Sequence, residues 1–198
     1  MKLLGFETTD SVASVALYCD GTVDEVHLTE DKRHAESVLP AAEQLLRKHG
    51  LTTADMDAFA VDIGPGSFTG VRIGVCLANA LGLAHQKPVI AVNSLETLAE
   101  PHLDLHAPVC ALIDARNGNG YGAVYQESAC LVEPVACEIE SFLKLLPKEC
   151  AFTGTACEDG ALPAAGSIVR LAVNRTGQKQ VSPMYLKPSQ AERLQKHD

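Results

Sequence analysis

Hydrophobic and polar positions alternate near the start of the chain in the way that β-strands require. Leu3 to Thr8 form a short apolar run that ends in an acid and two threonines, and Ser11 to Thr29 alternate on either side of Asp20-Gly21. Because Asp-Gly is a favoured hairpin turn between alternating runs, the pattern predicts one strand followed by a β-hairpin.

Two longer segments place their apolar residues at a helical period. The first runs from His34 to Gly50, with Gly50 as its expected C-cap, and the second from Val71 to His85. A buried-type strand over 58–63 and a glycine-rich turn lie between them. A strand over 88–93 and a short helix with Ser94 as its expected N-cap complete this half.

The same order of elements then begins again. Pro101 to Pro108 are interpreted as a linker, and Ala107 to Gln126 give strand, acid, polar turn and strand, so Asp114 occupies the place of Glu7. A third strand, a helix from Ile139 to Pro147 and a fourth strand follow. This repeat predicts two facing α/β lobes, 1–100 and a smaller, reduced 101–198.

Charge and composition narrow the classes of function. The chain has 198 residues and a net charge of −9, which disfavours direct binding of a polyanion. Its seven cysteines contain no CxxC pair, as expected of unpaired thiols rather than a disulfide framework or a zinc site. We find no signal-peptide pattern and no apolar run of about 18 residues, and therefore expect a cytoplasmic protein that does not bind a membrane.

The glycine-rich turn permits two interpretations. Its backbone N–H groups, before a helix, could hold an anion or a nucleotide. It could equally be a tight strand-to-helix turn that needs glycine for close backbone approach. It lacks the P-loop spacing and the dinucleotide-binding glycine pattern. The candidate anion-binding residues are Gly64, Gly66, Ser67, Thr69 and Gly70.

The helix behind that turn is apolar over most of its circumference. Small residues recur at every fourth position, and these are Gly66, Gly70, Gly74, Ala78 and Gly82. Such a ridge allows another helix to approach closely, and apolar residues beyond one core face need a further cover. We therefore favour a partner-binding helix over a helix buried entirely within its own lobe.

Candidate chemistry is sparse. Glu7 and Asp114 end the first strand of each lobe, where carboxylates could hold magnesium or a water, or could bind turn N–H groups. The two histidines of His102 to His106 have a metal-binding spacing, but they lie in the linker. No nucleophile motif is present, so we predict neither catalytic residues nor a metal site nor a cofactor.

Several segments resemble one known family. These are the opening strand and hairpin, 34–40, the block GPGSFTGVRIG from Gly64 to Gly74, 88–99, Ile113 to Arg116, and PMYLKP from Pro183 to Pro188. Together they are similar to the bacterial tRNA threonylcarbamoyladenosine biosynthesis proteins TsaB, also called YeaZ. The resemblance implies the two-lobed fold of the actin, sugar kinase and Hsp70 superfamily.

The resemblance also implies a function. TsaB-like proteins are non-catalytic relatives of the enzyme TsaD. They pair with TsaD and the ATPase TsaE to form N6-threonylcarbamoyladenosine at position 37 of tRNA, and they form homodimers when alone. Contact with tRNA is expected mainly through the complex. The expected partner-binding residues are Val38, Leu39, Ala42, Leu45, Val71, Gly74, Val75, Ala78, Leu81 and Gly82.

Two departures from the family pattern stand out. Glu7 occupies a position that is usually aspartate, and the chain is short between Ala156 and Val181. The paired histidines that hold a metal in TsaD-like proteins are represented only by His34, which supports the expectation of no metal. The alternative function is a phosphotransferase of the sugar-kinase type that uses Glu7, Asp114 and the glycine-rich turn.

Overall fold

The chain folds into two lobes, each built on a mixed β-sheet. The computed structural model describes residues 1–28, 34–127, 129–147 and 149–186. The first sheet has the strand order β3-β2-β1-β4-β5. Its strands are β1 (Lys2–Glu7), β2 (Ser14–Cys19), β3 (Thr22–His27), β4 (Ala58–Asp62) and β5 (Val89–Val92).

The second sheet repeats this order without its last strand. It runs β8-β7-β6-β9 within the described residues. Its strands are β6 (Val109–Asp114), β7 (Asn119–Gln126), β8 (Ala129–Glu138) and β9 (Ala151–Thr153). In both sheets the first strand pairs antiparallel with the second and parallel with the fourth. The predicted internal repeat is therefore present, and the second sheet is the smaller.

Five α-helices accompany the strands in the described ranges. They are α1 (His34–Lys48), α2 (Phe68–His85), α3 (Ser94–Ala99), α4 (Ile139–Leu143) and α5 (Ala165–Ala172). Helices α1 and α2 cover one face of the first sheet. Their apolar residues join Phe6, Val15 and Phe59 in a buried core. The predicted strands and the two long helices of this lobe are confirmed.

The remaining face of the first sheet is covered by a helix from the second half of the chain. Ile168 and Val169 of α5 pack on Leu3, Ala60 and Ile90. Conversely, α3 follows β5 but packs on β6 and β7 of the second sheet, and α3 also contacts α5. The two lobes therefore exchange helices, and the boundary at residue 100 stays a prediction.

Some local predictions were wrong. Asn93 caps α3, because its side chain accepts a hydrogen bond from the N–H of Glu96, whereas Ser94 lies inside the helix. The expected linker forms a 3₁₀ helix over Glu100–Leu105. Helix α4 is shorter than predicted, and α5 was not foreseen.

The last described residues return to the first lobe. Gln178 exchanges two backbone hydrogen bonds with Val89 at the edge of the first sheet, and the N–H of Met184 donates to the carbonyl of Ile63. The segment from Ser182 onwards, which includes part of the PMYLKP resemblance, therefore packs on the first lobe as far as residue 186. Lys187 and Pro188 lie outside the described residues.

Candidate functional site

Two acids that end neighbouring parallel strands meet below the start of α2. Glu7 ends β1 and Asp62 ends β4, and both side chains are fully buried. Glu7 Oε1 accepts hydrogen bonds from the N–H and the hydroxyl of Thr9. Asp62 Oδ1 accepts from the N–H of Gly64 and the hydroxyl of Ser94, each at 2.7 Å. The other oxygens of the two acids have no further partner within the described part of the chain.

A shared proton accounts for these two remaining oxygens. The carboxyl groups of Glu7 and Asp62 are buried side by side at the ends of two paired strands, and a hydrogen bond between them requires that one of them is protonated. Burial, and then the neighbouring charge of Asp62, raise the pKa of Glu7 well above its ordinary value. Burial raises the pKa of Asp62 to about 6. We therefore describe the two acids as one pair that holds a proton and ties β1 to β4.

The corresponding acid of the second lobe has different surroundings. Asp114 ends β6 and is exposed. Its Oδ1 accepts a hydrogen bond of 2.8 Å from the N–H of Arg116, and its own N–H donates to the hydroxyl of Thr155 at 2.9 Å. These contacts organise the turn after β6, in agreement with the interpretation in which such an acid binds turn N–H groups. Glu7 and Asp114 therefore have different structural roles.

The glycine-rich turn packs at backbone distance on the turn that follows β1. A Cβ atom at Gly66 would lie 2.7 Å from the carbonyl oxygen of Thr9, and one at Gly70 would lie 1.9 Å from that of Thr8. The N–H groups of Gly64, Ser67 and Gly70 all donate within the protein. This geometry favours the structural interpretation of the turn. Anion binding by Gly64, Gly66, Ser67, Thr69 and Gly70 stays a prediction.

The ridge of small residues on α2 faces the helix's own lobe. A Cβ atom at Gly74 would lie 2.5 Å from the hydroxyl oxygen of Thr8, and one at Gly82 would lie 2.6 Å from a methyl group of Val89. The buried residues of α2 are Gly70, Val71, Gly74, Val75, Ala78 and Gly82. The ridge was expected to face a partner helix, and in this fold it instead fits α2 closely onto β1 and β4.

Most of the expected contact residues on α1 are buried as well. Val38, Ala42 and Leu45 belong to the core of the first lobe, and Leu39 is half-buried. Leu81 of α2 is half-buried against the same core. Leu39 and Leu81 keep part of their surface exposed, and partner binding by the expected residues of α1 and α2 stays a prediction.

The outer side of α2 carries exposed surface. By the outer side of α2 we mean five exposed residues that follow one another at intervals of three or four positions. They are Phe68, Arg72, Cys76, Ala80 and Leu83. The exposed fraction of Leu83 is 74%, against 39% for Phe68.

An aromatic stack extends the outer side of α2 at its first turn. The rings of Phe68 and Tyr185 stack with centroids 5.0 Å apart. The Arg72 guanidinium lies 3.8 Å from the centre of the Phe68 ring and donates from Nε to the Tyr185 hydroxyl at 2.9 Å. The sequence pattern did not reveal this stack, because Tyr185 is 113 positions from Arg72 in the chain.

Comparison with known proteins identifies the family. A family model described as "TsaD: tRNA N6-adenosine threonylcarbamoyltransferase" matches residues 23–177. The chain is 30% identical to the tRNA threonylcarbamoyladenosine biosynthesis protein TsaB of Haemophilus influenzae, over 94% of each chain. The chain belongs to the TsaB family. It is also 39% identical to TsaB of Escherichia coli, over 64% of this chain and 55% of that protein. The chain thus spans little more than half the length of that relative.

Solved structures agree with the TsaB assignment. The crystal structure of an uncharacterized protein with similarity to peptidase YEAZ, from Pseudomonas aeruginosa, is 26% identical. It covers 94% of this chain and 99% of its own, with a TM-score of 0.80. YeaZ from Pseudomonas aeruginosa gives a TM-score of 0.78 at the same identity, over 93% of this chain and 99% of that one. The expected two-lobed actin-like fold is confirmed.

Two further properties concern metals and membranes. Within the described ranges no group of three or more His, Cys, Asp or Glu side chains could hold a metal ion. His34, the lone counterpart of the paired histidines of TsaD-like proteins, begins α1, but its side chain lies outside what is described. Helix α2 is the one described helix that is long and apolar enough to cross a membrane, a test that core helices of soluble proteins also pass. Here one side of α2 is packed on the first sheet.

Proposed function

We propose that this protein is a non-catalytic accessory subunit in the formation of N6-threonylcarbamoyladenosine at position 37 of tRNA. In this proposal it pairs with a TsaD-like catalytic subunit and a TsaE-like ATPase in the cytoplasm. The TsaD-like subunit transfers the threonylcarbamoyl group from threonylcarbamoyl-AMP. Contact with tRNA occurs mainly through the complex, since the chain itself carries a net charge of −9.

The observation that carries the proposal is the match to TsaB over nearly the whole of both chains. The family model that matches is that of the transferase TsaD, which indicates that this fold and the fold of the catalytic subunit are related. Two related folds with apolar helices in the same place can associate face to face, as in symmetric dimers. For the same reason, we propose that the isolated protein forms a homodimer.

The outer side of α2 is the surface that we propose for this association. It combines an exposed leucine with a stacked arginine and two aromatic rings, and arginine and aromatic side chains are enriched at interfaces. Burying a few hundred Å² of apolar surface contributes on the order of 10 kcal/mol before the costs of association, by area alone. The buried ridge supports this surface from below by fixing the helix on the sheet.

The geometry disfavours the phosphotransferase alternative. Such an enzyme needs a carboxylate that reaches substrate or magnesium, but Glu7 is fully buried and its charged form is disfavoured. The glycine-rich turn uses three of its N–H groups internally. Calorimetry with Mg-ATP tests this directly. Turnover by the isolated protein that is lost in Glu7→Ala would favour the alternative.

Association is tested by size-exclusion chromatography with light scattering, with and without a purified TsaD-like subunit. We expect a heteromeric complex with the unmodified protein. Leu83→Asp should weaken it, because a carboxylate would replace an apolar side chain in the buried contact and would have to lose its hydration. The matched control is Leu145→Asp in the second lobe, since Leu145 is also highly exposed, at 83%. Loss of the complex in both variants, or in neither, would contradict the proposed surface.

A further inference from the structure

A groove lies between the C-terminal half of α2 and the segment 177–183. Its volume is about 930 Å³. Its walls come from two parts of the chain that are far apart in sequence, and Asn79 joins them by exchanging two hydrogen bonds with the backbone of Val181. Apolar atoms of Leu83, Pro88 and Val181 form part of its lining. The groove begins beside Arg72 and Cys76, so it is continuous with the outer side of α2.

The lining of the groove is positively charged on an acidic molecule. Three of its side chains are cations, namely Arg72, Lys87 and Lys179, and none is an acid. The whole chain, in contrast, has 25 acids and 16 bases. None of the ion pairs among the described residues involves Lys87 or Lys179. Within the described chain the groove therefore concentrates positive charge, which complements an acidic ligand.

The backbone along one wall is also available for hydrogen bonding. The N–H of Gln178 donates to the carbonyl of Val89, and the N–H of Val181 donates to the side chain of Asn79. Between them, the N–H groups of Lys179 and Gln180 donate to no other described residue. Lys179 lies at a bend, and an N–H group without a partner in the described chain can donate to a carboxylate or carbonyl oxygen of a ligand.

We propose that this groove binds an extended acidic segment of the TsaD-like subunit. The carboxylates of that segment would meet Lys87, Lys179 and Arg72, while an apolar side chain would contact Leu83 and Pro88. This inference rests on the proposed function, because the groove continues the surface of α2 that the catalytic subunit would cover. A protein segment fits better than RNA, because Leu83, Pro88 and Val181 give the lining apolar surface that a phosphate backbone does not use.

The first test reverses the charge of the groove. We expect Lys87→Glu with Lys179→Glu to weaken association with the purified TsaD-like subunit about tenfold, and 0.5 M salt to reduce the difference. The control is Arg116→Glu, which changes an exposed cation in the second lobe and should alter association less than twofold. Circular dichroism and thermal melting confirm that the variants remain folded.

The outcomes separate the two proposals. If the unmodified protein does not associate with the catalytic subunit, the proposed function fails and this inference fails with it. If association occurs but the doubly substituted protein binds equally well, the groove inference alone is overturned. The same holds if the substitutions abolish only self-association, which would identify a second copy of this chain as the occupant.

The chemical accessibility of Cys76 offers a second readout, which reports contact at the groove itself. It lines the groove and is exposed, and Cys130 on β8 is a second exposed cysteine that serves as an internal reference. We expect the catalytic subunit to slow alkylation of Cys76 by iodoacetamide at least fivefold relative to Cys130, as measured by mass spectrometry. An unchanged ratio of the two alkylation rates when the catalytic subunit is added, or protection of Cys76 by tRNA alone, would contradict the inference.

Discussion

The carboxyl ends of the first strands differ between the two lobes. In the first lobe Glu7 is buried against Asp62, and the glycine-rich turn packs over it at backbone distance. In the second lobe Asp114 is exposed and only organises its own turn. The same position in two repeats of one topology thus holds a core contact in one lobe and a surface contact in the other. The close packing of the glycine-rich turn in the first lobe fixes the start of α2. The second sheet has no described counterpart of this long helix.

The largest expected effect comes from filling that backbone contact. Gly70→Ala would place a methyl group 1.9 Å from the carbonyl oxygen of Thr8, so either α2 or the turn after β1 must move. We expect destabilisation of roughly 4 kcal/mol or more, or failure to fold. Urea denaturation measures it. Thr69→Ala, at the exposed neighbouring position, is the control and should change the free energy of unfolding by less than about 0.5 kcal/mol.

The next effect tests whether α5 belongs to the core of the first lobe. Ile168 is fully buried between α5 and the first sheet, although it comes from the second half of the chain. Ile168→Ala should lower the free energy of unfolding by about 3 kcal/mol, and hydrogen exchange should accelerate in β1 and β4. Acceleration confined to the second sheet would show that the exchange of helices is misassigned.

A smaller effect concerns the dependence of stability on pH. The pKa of Glu7 and the pKa of Asp62 are both raised in the folded state, so the pair stabilises the fold most at low pH. Its contribution is lost as pH rises from about 4 through about 6 and above, because the unfolded chain releases its protons first. We expect the free energy of unfolding to decline over this range by about 1–3 kcal/mol from this pair.

Glu7→Gln sharpens this prediction. The amide oxygen can still accept from Thr9, and the amide N–H₂ can donate to Asp62 without a titrating proton. The variant should therefore be more stable than the unmodified protein at pH 8, by about 1 kcal/mol, with a flatter pH profile. Identical profiles for the two proteins would rule out the shared proton. Thermal melting at a series of pH values provides the comparison.

The smallest effect is expected at the corresponding acid of the second lobe. Asp114→Asn keeps an oxygen that can accept from the N–H of Arg116, and the side chain is already exposed. The free energy of unfolding should change by less than about 0.5 kcal/mol and its pH profile should be unaltered. A large change would mean that the two acids are more alike than their surroundings indicate.

Patterns within one element were readable from the sequence, whereas contacts between elements were not. Alternation predicted β1 to β3, and helical spacing predicted α1 and α2. Asn93 and Ser94 are both good capping residues, so the sequence alone could not choose between them. In the structure the Ser94 hydroxyl donates to Asp62 at 2.7 Å, and Asn93 caps the helix.

The candidate site shows the same limit. The spacing of Gly70, Gly74 and Ala78 predicted close approach of a neighbour, but spacing does not say which neighbour. The structure places Thr8 and β4 there. Likewise, the apolar face of α5 could not reveal that it covers the first sheet, since an amphipathic helix fits either lobe. The sequence also does not place Asp62 beside Glu7, because only the parallel pairing of β1 with β4 brings the two together.

The exchange of helices has a consequence for synthesis of the chain. The Ser14 hydroxyl accepts a hydrogen bond from the N–H of Ala165, a contact that spans 151 positions. After β5 has been translated, one apolar face of the first sheet stays uncovered until α5 has been synthesised. This interval lasts on the order of ten seconds at typical elongation rates. A nascent chain stalled before residue 165 should therefore be a good client for ribosome-associated chaperones, and release of the full-length polypeptide should end that dependence.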